Sequence, residues 1–106
     1  MESLSKIELE LWLSSDDVRI ADLIANSLKL LFEEGILETS GKSTAEGKSA
    51  VYICLDFNIV PLYRIYEFTM MQARKFKTEV MKTKVVGEDI PVQVLREVAG
   101  YYLQLE

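Results

Sequence analysis

Residues 58–84 read NIVPLYRIYEFTMMQARKFKTEVMKTK, and the rest of the chain can be arranged around this stretch. Its spacing predicts one long helix. Asn58 suits the N-cap position, because its side chain can accept a hydrogen bond from a backbone N–H of the first turn. Pro61 then falls in that turn, where the missing N–H of proline costs little. The stripe expected to face a sheet recurs at helical spacing and consists of Leu62, Ile65, Thr69, Ala73, Phe76 and Val80.

A second apolar side, formed by Tyr63, Phe68, Met70 and Met71, makes the predicted helix apolar well beyond this stripe. Methionine and aromatic residues are enriched at protein interfaces, and they also fill protein cores. Two interpretations therefore stay open. The helix belongs to the core alone, or its second side contacts another chain.

The last turns of the predicted helix carry five basic residues against a single acid, Glu79. Cations near a helix C-terminus are favourable, so a solvated basic end is one explanation. A contact with nucleic acid is the alternative explanation. The residues that would make this contact are Arg74, Lys75, Lys77, Lys82 and Lys84.

The first strand is predicted at residues 6–13, where apolar and polar side chains alternate. Trp12 falls on the polar side of this strand, which indicates a contact with another element or another chain. Residues 14–17 (SSDD) start the first helix, since serine and aspartate accept hydrogen bonds from its first N–H groups. Gly35 suits the left-handed position after the end of that helix. The inward stripe of the helix is expected to be Ile20 or Ala21, Ile24, Leu28 and Leu31.

Residues 36–40 and 50–57 predict the second and third strands, joined by a polar, glycine-rich hairpin loop over residues 41–49. Asp56 is expected to fix the turn that follows the third strand. A last helix is predicted from Ile90, with apolar residues at helical spacing. They are Val94, Leu95, Val98, Tyr102 and Leu105.

The predicted order is therefore β-α-β-β-α with an appended C-terminal helix. It favours a single α+β domain over residues 1–106, with an antiparallel sheet and two helices on one of its faces. Three strands leave two sheet edges and one bare face. Pairing of edge strands in a homodimer would cover such an edge.

Composition restricts the classes of function. The chain of 106 residues has a formal net charge of −5, which argues against a general nucleic-acid coat. It contains no histidine and one cysteine, Cys54, so structural zinc and most common catalytic sets are excluded. We expect no catalytic residue, metal or cofactor. The sequence has no apolar run of about 18 residues and no signal-peptide pattern, so we expect a cytoplasmic protein and no membrane contact.

Two short motifs carry a family resemblance. Ser15-Asp16-Asp17 opens the first helix before Ile20-Ala21, and Asp56-Phe57 leads into Leu62-Tyr63-Arg64-Ile65. In this order, over about residues 7–80, the chain resembles the small dimerising subunit of the archaeal and eukaryotic KEOPS complex, which makes threonylcarbamoyl-adenosine in tRNA. The resemblance implies a non-catalytic, dimeric subunit whose helices are bound by a catalytic partner, with Arg64 facing outward. Glu67-Phe68 stands where that family has a small Asn-Ser pair.

These observations favour a non-enzymatic interaction and dimerisation module, and the resemblance points to an accessory subunit of a tRNA-modification complex. Its expected partner is a second copy of the chain or a larger protein subunit. Nucleic acid is the alternative partner. The residues expected to bind the protein partner are Tyr63, Arg64, Phe68, Met71, Tyr101 and Tyr102.

Overall fold

Four strands and two helices make up residues 6–86, the part of the chain that this computed structural model describes. In chain order they are β1 (Lys6–Leu13), α1 (Val18–Leu31), β2 (Ile36–Ser43), β3 (Ser49–Asp56), α2 (Leu62–Lys75) and β4 (Val80–Val86). The helix predicted from Ile90, with Tyr101 and Tyr102, lies outside the described residues.

The four strands form one sheet in the order β2-β3-β1-β4, and every pair of neighbours is antiparallel. This arrangement of a β-α-β-β-α-β chain is the ferredoxin-like topology. The expected α+β class and antiparallel sheet are confirmed, but a strand that the sequence analysis did not predict follows the second helix. Because many unrelated functions share this topology, it describes the fold alone.

The prediction of one helix over residues 58–84 is wrong at its C-terminal end. The helix α2 stops at Lys75, and the backbone N–H of Phe76 still donates to the Ala73 carbonyl. Lys77 then adopts the left-handed conformation with φ of 58°, which ends the helical path. Residues 80–86 are rich in β-branched side chains and pair with β1, which would otherwise be an unprotected edge.

The N-terminal end of this helix also differs from its prediction. It begins at Leu62, and Pro61 occupies the N-cap position without a side-chain cap. Asn58 is not the cap, because it lies three residues before Pro61; its backbone N–H donates to the Asp56 carboxylate at 3.0 Å. The backbone carbonyl of Asp56 accepts from Ile59, so Asp56 fixes the turn after β3 as expected.

The hairpin between β2 and β3 is tighter than its predicted loop. The strand β2 continues to Ser43, and the loop shrinks to residues 44–48. Within it, the Thr44 N–H donates to the Lys48 carbonyl at 2.7 Å, and Gly47 has φ of 79°. Polar, small residues of the predicted loop therefore belong to a regular antiparallel ladder.

Both helices cover the same face of the sheet, and the core lies between the two layers. The inward face of α1 consists of Ala21, Ile24, Ala25 and Leu28, whereas Leu31 is half exposed and does not complete the predicted stripe. Each fully buried large aliphatic side chain stabilises the fold by about 1.5–3 kcal/mol. Fully buried examples from four elements are Leu9, Leu11, Ile53, Leu55, Leu28 and Ile65.

Candidate functional site

A groove opens between the C-terminal end of α1 and the N-terminal end of α2. These two ends meet because α1 runs toward the end of the sheet where β3 finishes, and α2 starts from that end. The groove has a volume of about 560 Å³. Side chains from both helices and from the turn after β3 line it, among them Leu31, Phe32, Ile59, Val60, Tyr63 and Arg64.

Two aliphatic side chains on this groove lie largely outside the core. Leu31 is 49% exposed and Ile59 is 54% exposed, whereas Val60 between the two helix ends is buried. Exposed aliphatic residues are common singly, but here they line one concavity. Glu33 and Glu34 add negative charge at its border. Exposed aliphatic side chains and charged side chains therefore line the groove together.

Aromatic rings hold the wall of the groove in place. The rings of Phe32 and Phe68 meet edge to face with centroids 6.2 Å apart. The Arg64 guanidinium lies 5.9 Å from the centroid of Phe32 and 3.9 Å from the Glu67 carboxylate. Arg64 is exposed at this position. A cation fixed above an aromatic ring can pair with a carboxylate of a partner molecule.

The structure brings together only part of the predicted partner-binding set. Tyr63 and Arg64 line the groove, and Phe68 supports it from α2. Met71 is 47% exposed on the outward side of α2, two turns further along the helix. The contributions of Leu31 and Ile59 were missed, since Leu31 fitted the inward stripe and Ile59 fitted the first turn of a helix that begins later.

The five basic residues proposed for nucleic acid do not share one helix end. Arg74 and Lys75 end α2, and Lys77 lies in the turn that follows. Lys82 and Lys84 lie on β4, where they pair with the β1 residues Trp12 and Glu10 on the face of the sheet opposite the helices. The prediction that these five residues form the basic end of one helix is therefore wrong.

On that opposite face, Glu10 and Trp12 form a closed polar network. The Trp12 indole N–H donates to one Glu10 carboxylate oxygen at 2.9 Å, and the Lys42 ammonium donates to the other at 2.6 Å. Burial opposes ionisation of Glu10, but these hydrogen bonds, with the charges of Lys42 and Lys84, hold its pKa below the ordinary value. The Lys82 ammonium lies 4.2 Å from the centroid of the Trp12 ring.

Two further groups on this face have shifted pKa values. The Tyr52 hydroxyl donates to the Glu8 carboxylate, which raises the pKa of Tyr52. Burial raises the pKa of the Cys54 thiol, so the thiol stays protonated at neutral pH. Across residues 6–86, no cluster of three or more Cys, Asp or Glu side chains has the arrangement of a metal site.

No helix within residues 6–86 has the length and apolar character needed to cross a membrane. No protein-family model and no curated protein matches the chain.

Proposed function

We propose that the chain is a non-catalytic interaction module that binds another protein chain through the groove between α1 and α2. The observation that carries the proposal is the exposure of Leu31 and Ile59 in the lining of one groove. Apolar side chains of this size gain about 25 cal/mol per Å² when a partner covers them. A lone copy in water forgoes this stabilisation.

The chemistry of the groove favours a helical segment as its occupant. A volume of about 560 Å³ accommodates a few large side chains rather than a whole domain. An amphipathic helix inserts such side chains at positions i, i+3 or i+4, and i+7. Arg64 at the rim would pair with an acidic residue of that helix, and Glu33 and Glu34 with basic ones.

The resemblance to the small KEOPS subunit supports the same assignment, because it implies a non-catalytic protein whose helices are bound by a larger partner. Under this proposal, the chain is an accessory subunit, and Tyr63 and Arg64 belong to its binding surface. Self-association through the same groove is the competing form of the proposal, in which the partner helix comes from a second copy.

The proposal is tested by placing a charge in the groove with Ile59→Asp and comparing it with Met81→Asp. Both side chains are exposed, but Met81, at 62% exposure, lies at the opposite end of the sheet in β4. Folding of both variants is checked first by circular dichroism. Tagged versions of each are then produced in the source cell, and the proteins that co-purify are quantified.

A defined partner that is retained by the unaltered chain and by Met81→Asp, and lost by Ile59→Asp, supports the proposal. Sedimentation over a micromolar concentration series shows whether this partner is a second copy. A monomeric chain whose co-purifying proteins are the same for all three versions contradicts it.

A further inference from the structure

Strand β2 forms one edge of the sheet, and within residues 6–86 it pairs only with β3. The outer side of an edge strand presents backbone N–H and C=O groups to which a strand of another chain can add. In the hairpin, the Thr44 N–H donates to the Lys48 carbonyl. Because hydrogen-bonded and non-hydrogen-bonded pairs alternate along an antiparallel ladder, every second residue of β2 counted back from Thr44 also bonds to β3. Gly41 and Thr39 fall between these residues, so their backbone groups point outward.

Two side chains of α1 bind backbone groups of this edge strand. The Asp22 carboxylate accepts from the Gly41 N–H at 2.8 Å, and the Lys29 ammonium donates to the Ile36 carbonyl at 2.8 Å. The helix lies so close to β2 that a Cβ added at Gly41 would collide with the backbone of Ala21 and Asp22. The glycine therefore allows the close approach that holds Asp22 over the edge.

The charge pattern of β2 is complementary to itself. Glu38, Ser40 and Lys42 share the face of the sheet opposite the helices and are exposed. If two copies of β2 pair antiparallel about Ser40, each Glu38 lies directly opposite the Lys42 of the other copy. Opposite charges at such positions attract. Lys42 also donates to Glu10, but an ammonium has three donors and can bind a second carboxylate.

The other edge of the sheet lacks this complementarity. Residues 80–86 of β4 contain Lys82 and Lys84 and no acid. Antiparallel pairing of two copies of β4 about either lysine or about Thr83 would bring lysines opposite each other, which is unfavourable. Charge therefore favours β2 as the edge that a second copy of the chain fits.

We propose that Asp22 closes the β2 edge against a second copy of this chain, and that loss of its carboxylate opens the edge to a β2–β2 dimer centred on Ser40. In this dimer the Gly41 N–H would donate to the Thr39 carbonyl of the other copy. In the single chain Asp22 occupies that N–H instead. The unaltered chain therefore does not associate through β2.

Sedimentation over a micromolar concentration series compares the unaltered full-length chain with Asp22→Ala, Asp22→Asn and Asp16→Ala. Asparagine keeps an oxygen that can accept from Gly41, and Asp16→Ala removes the same charge at an exposed position before α1. We expect the dissociation constant of the dimer to be at least about tenfold lower for Asp22→Ala than for the other three versions, because only this variant frees the Gly41 N–H. Equal association of all four versions, or of Asp22→Ala and Asp22→Asn, overturns the proposal.

Circular dichroism first checks that each variant is folded. If Asp22→Ala is too unstable, Asp22→Lys takes its place, because a lysine side chain has no acceptor for the Gly41 N–H.

A disulfide locates the contact between the two copies. Ser40→Cys is introduced together with Cys54→Ser, so that the introduced thiol is the only one. Residues directly opposite each other in an antiparallel pair have Cα atoms about 4.5–5.5 Å apart, which is within reach of a disulfide. We expect oxidation to link two chains only when Asp22→Ala is also present. Lys75→Cys, at the exposed end of α2, is the control position.

Disulfide formation at Ser40→Cys with Asp22 intact overturns the role of Asp22. A dimer of Asp22→Ala that forms no more disulfide at Ser40→Cys than at Lys75→Cys overturns the β2 contact.

A charge reversal tests the register. In the Asp22→Ala chain, Glu38→Lys places a lysine opposite Lys42 of the other copy, so we expect the dimer to weaken at least about tenfold. Glu79→Lys makes the same charge change at an exposed position before β4 and should leave the dimer unchanged. Equal effects of the two changes contradict the register. None of the residues varied in these experiments lines the α1–α2 groove, so failure here leaves the proposed function standing.

Discussion

The hydroxyl oxygens of Ser14 and Thr78 lie 2.7 Å apart and join the end of β1 to the turn after α2. The Thr78 hydroxyl also accepts from the Ser15 backbone N–H at 2.9 Å. The Ser14 hydroxyl accepts from the Glu79 N–H at 3.0 Å, and the Glu79 carbonyl accepts from the Ser14 N–H at 2.8 Å. These bonds fix the point at which the chain leaves α2 and enters β4 beside β1.

Thr78→Val should therefore destabilise the protein by about 0.5–1.5 kcal/mol, because the partly buried Ser15 N–H loses its acceptor. Urea unfolding followed by circular dichroism measures this loss. Thr83→Val is the matched control on β4, since no hydrogen bond of the Thr83 hydroxyl is part of this network, and it should be near neutral. Equal losses in the two variants would show that the network is not a major stabilising feature.

Lys42→Met should remove an ion pair and raise the pKa of Glu10. A carboxyl whose pKa is lowered in the folded state adds stability above its unfolded pKa of ~4.3, and this stability is lost as pH falls through the folded pKa. The variant should be less stable by about 1 kcal/mol at neutral pH, since Lys42 is partly exposed and its charge is screened. At pH values below the folded pKa, the difference should vanish.

Urea unfolding at a series of pH values measures this difference, and carbon NMR of the Glu10 carboxyl measures the pKa directly. Lys75→Met is the control, because Lys75 is exposed at the end of α2 and far from Glu10 in the fold. An unchanged Glu10 pKa in Lys42→Met would rule out the ion pair as the cause of the shift.

Gly35→Ala should be more destabilising than Gly47→Ala, although both glycines have positive φ values of 98° and 79°. Left-handed backbone costs a non-glycine residue about 1–2 kcal/mol in either place. At Gly35 an added Cβ would also collide with the side chains of Val60 and Ile59, whereas at Gly47 it meets nothing. Overpacking of this kind costs a further ~1–3 kcal/mol. Thermal unfolding of the two variants compares their losses of stability. Similar losses would mean that the turn at Gly35 can shift to accommodate the added Cβ without a free-energy penalty.

Lys82→Gln should perturb Trp12 more than Lys84→Gln. The Lys82 ammonium lies 4.2 Å from the ring centroid, and that of Lys84 lies 5.5 Å away. A partly desolvated cation–π contact contributes about 0.5–2 kcal/mol. Trp12 is the only tryptophan, so its fluorescence reports the change without interference. A larger fluorescence change in Lys84→Gln than in Lys82→Gln would contradict the assignment of Lys82 as the main cation at the Trp12 ring.

Part of the groove lining was named from the sequence, since Tyr63 lies on the second apolar side of α2 and Arg64 was expected from the family resemblance. The contribution of Leu31 and Ile59 to the groove could not be predicted from the sequence. Leu31 and Ile59 are 28 positions apart, and each fits a local pattern that says nothing about exposure. They line one groove because α1 ends where α2 begins, which is a property of the assembled sheet and helices.

The sequence by itself determined the α+β class, the alternating β1, the first helix and a third strand, since each has an unambiguous local period. Only the tertiary structure decided that residues 76–86 form a turn and a strand rather than a continuation of the helix. Phe76 and Val80 keep helical spacing, and Lys77 is not a glycine, so no local signal marks the left-handed turn there. The free edge of β1 offers backbone hydrogen bonds along a whole strand, and this long-range pairing, together with the Ser14–Thr78 contact, outweighs the local preference for helix.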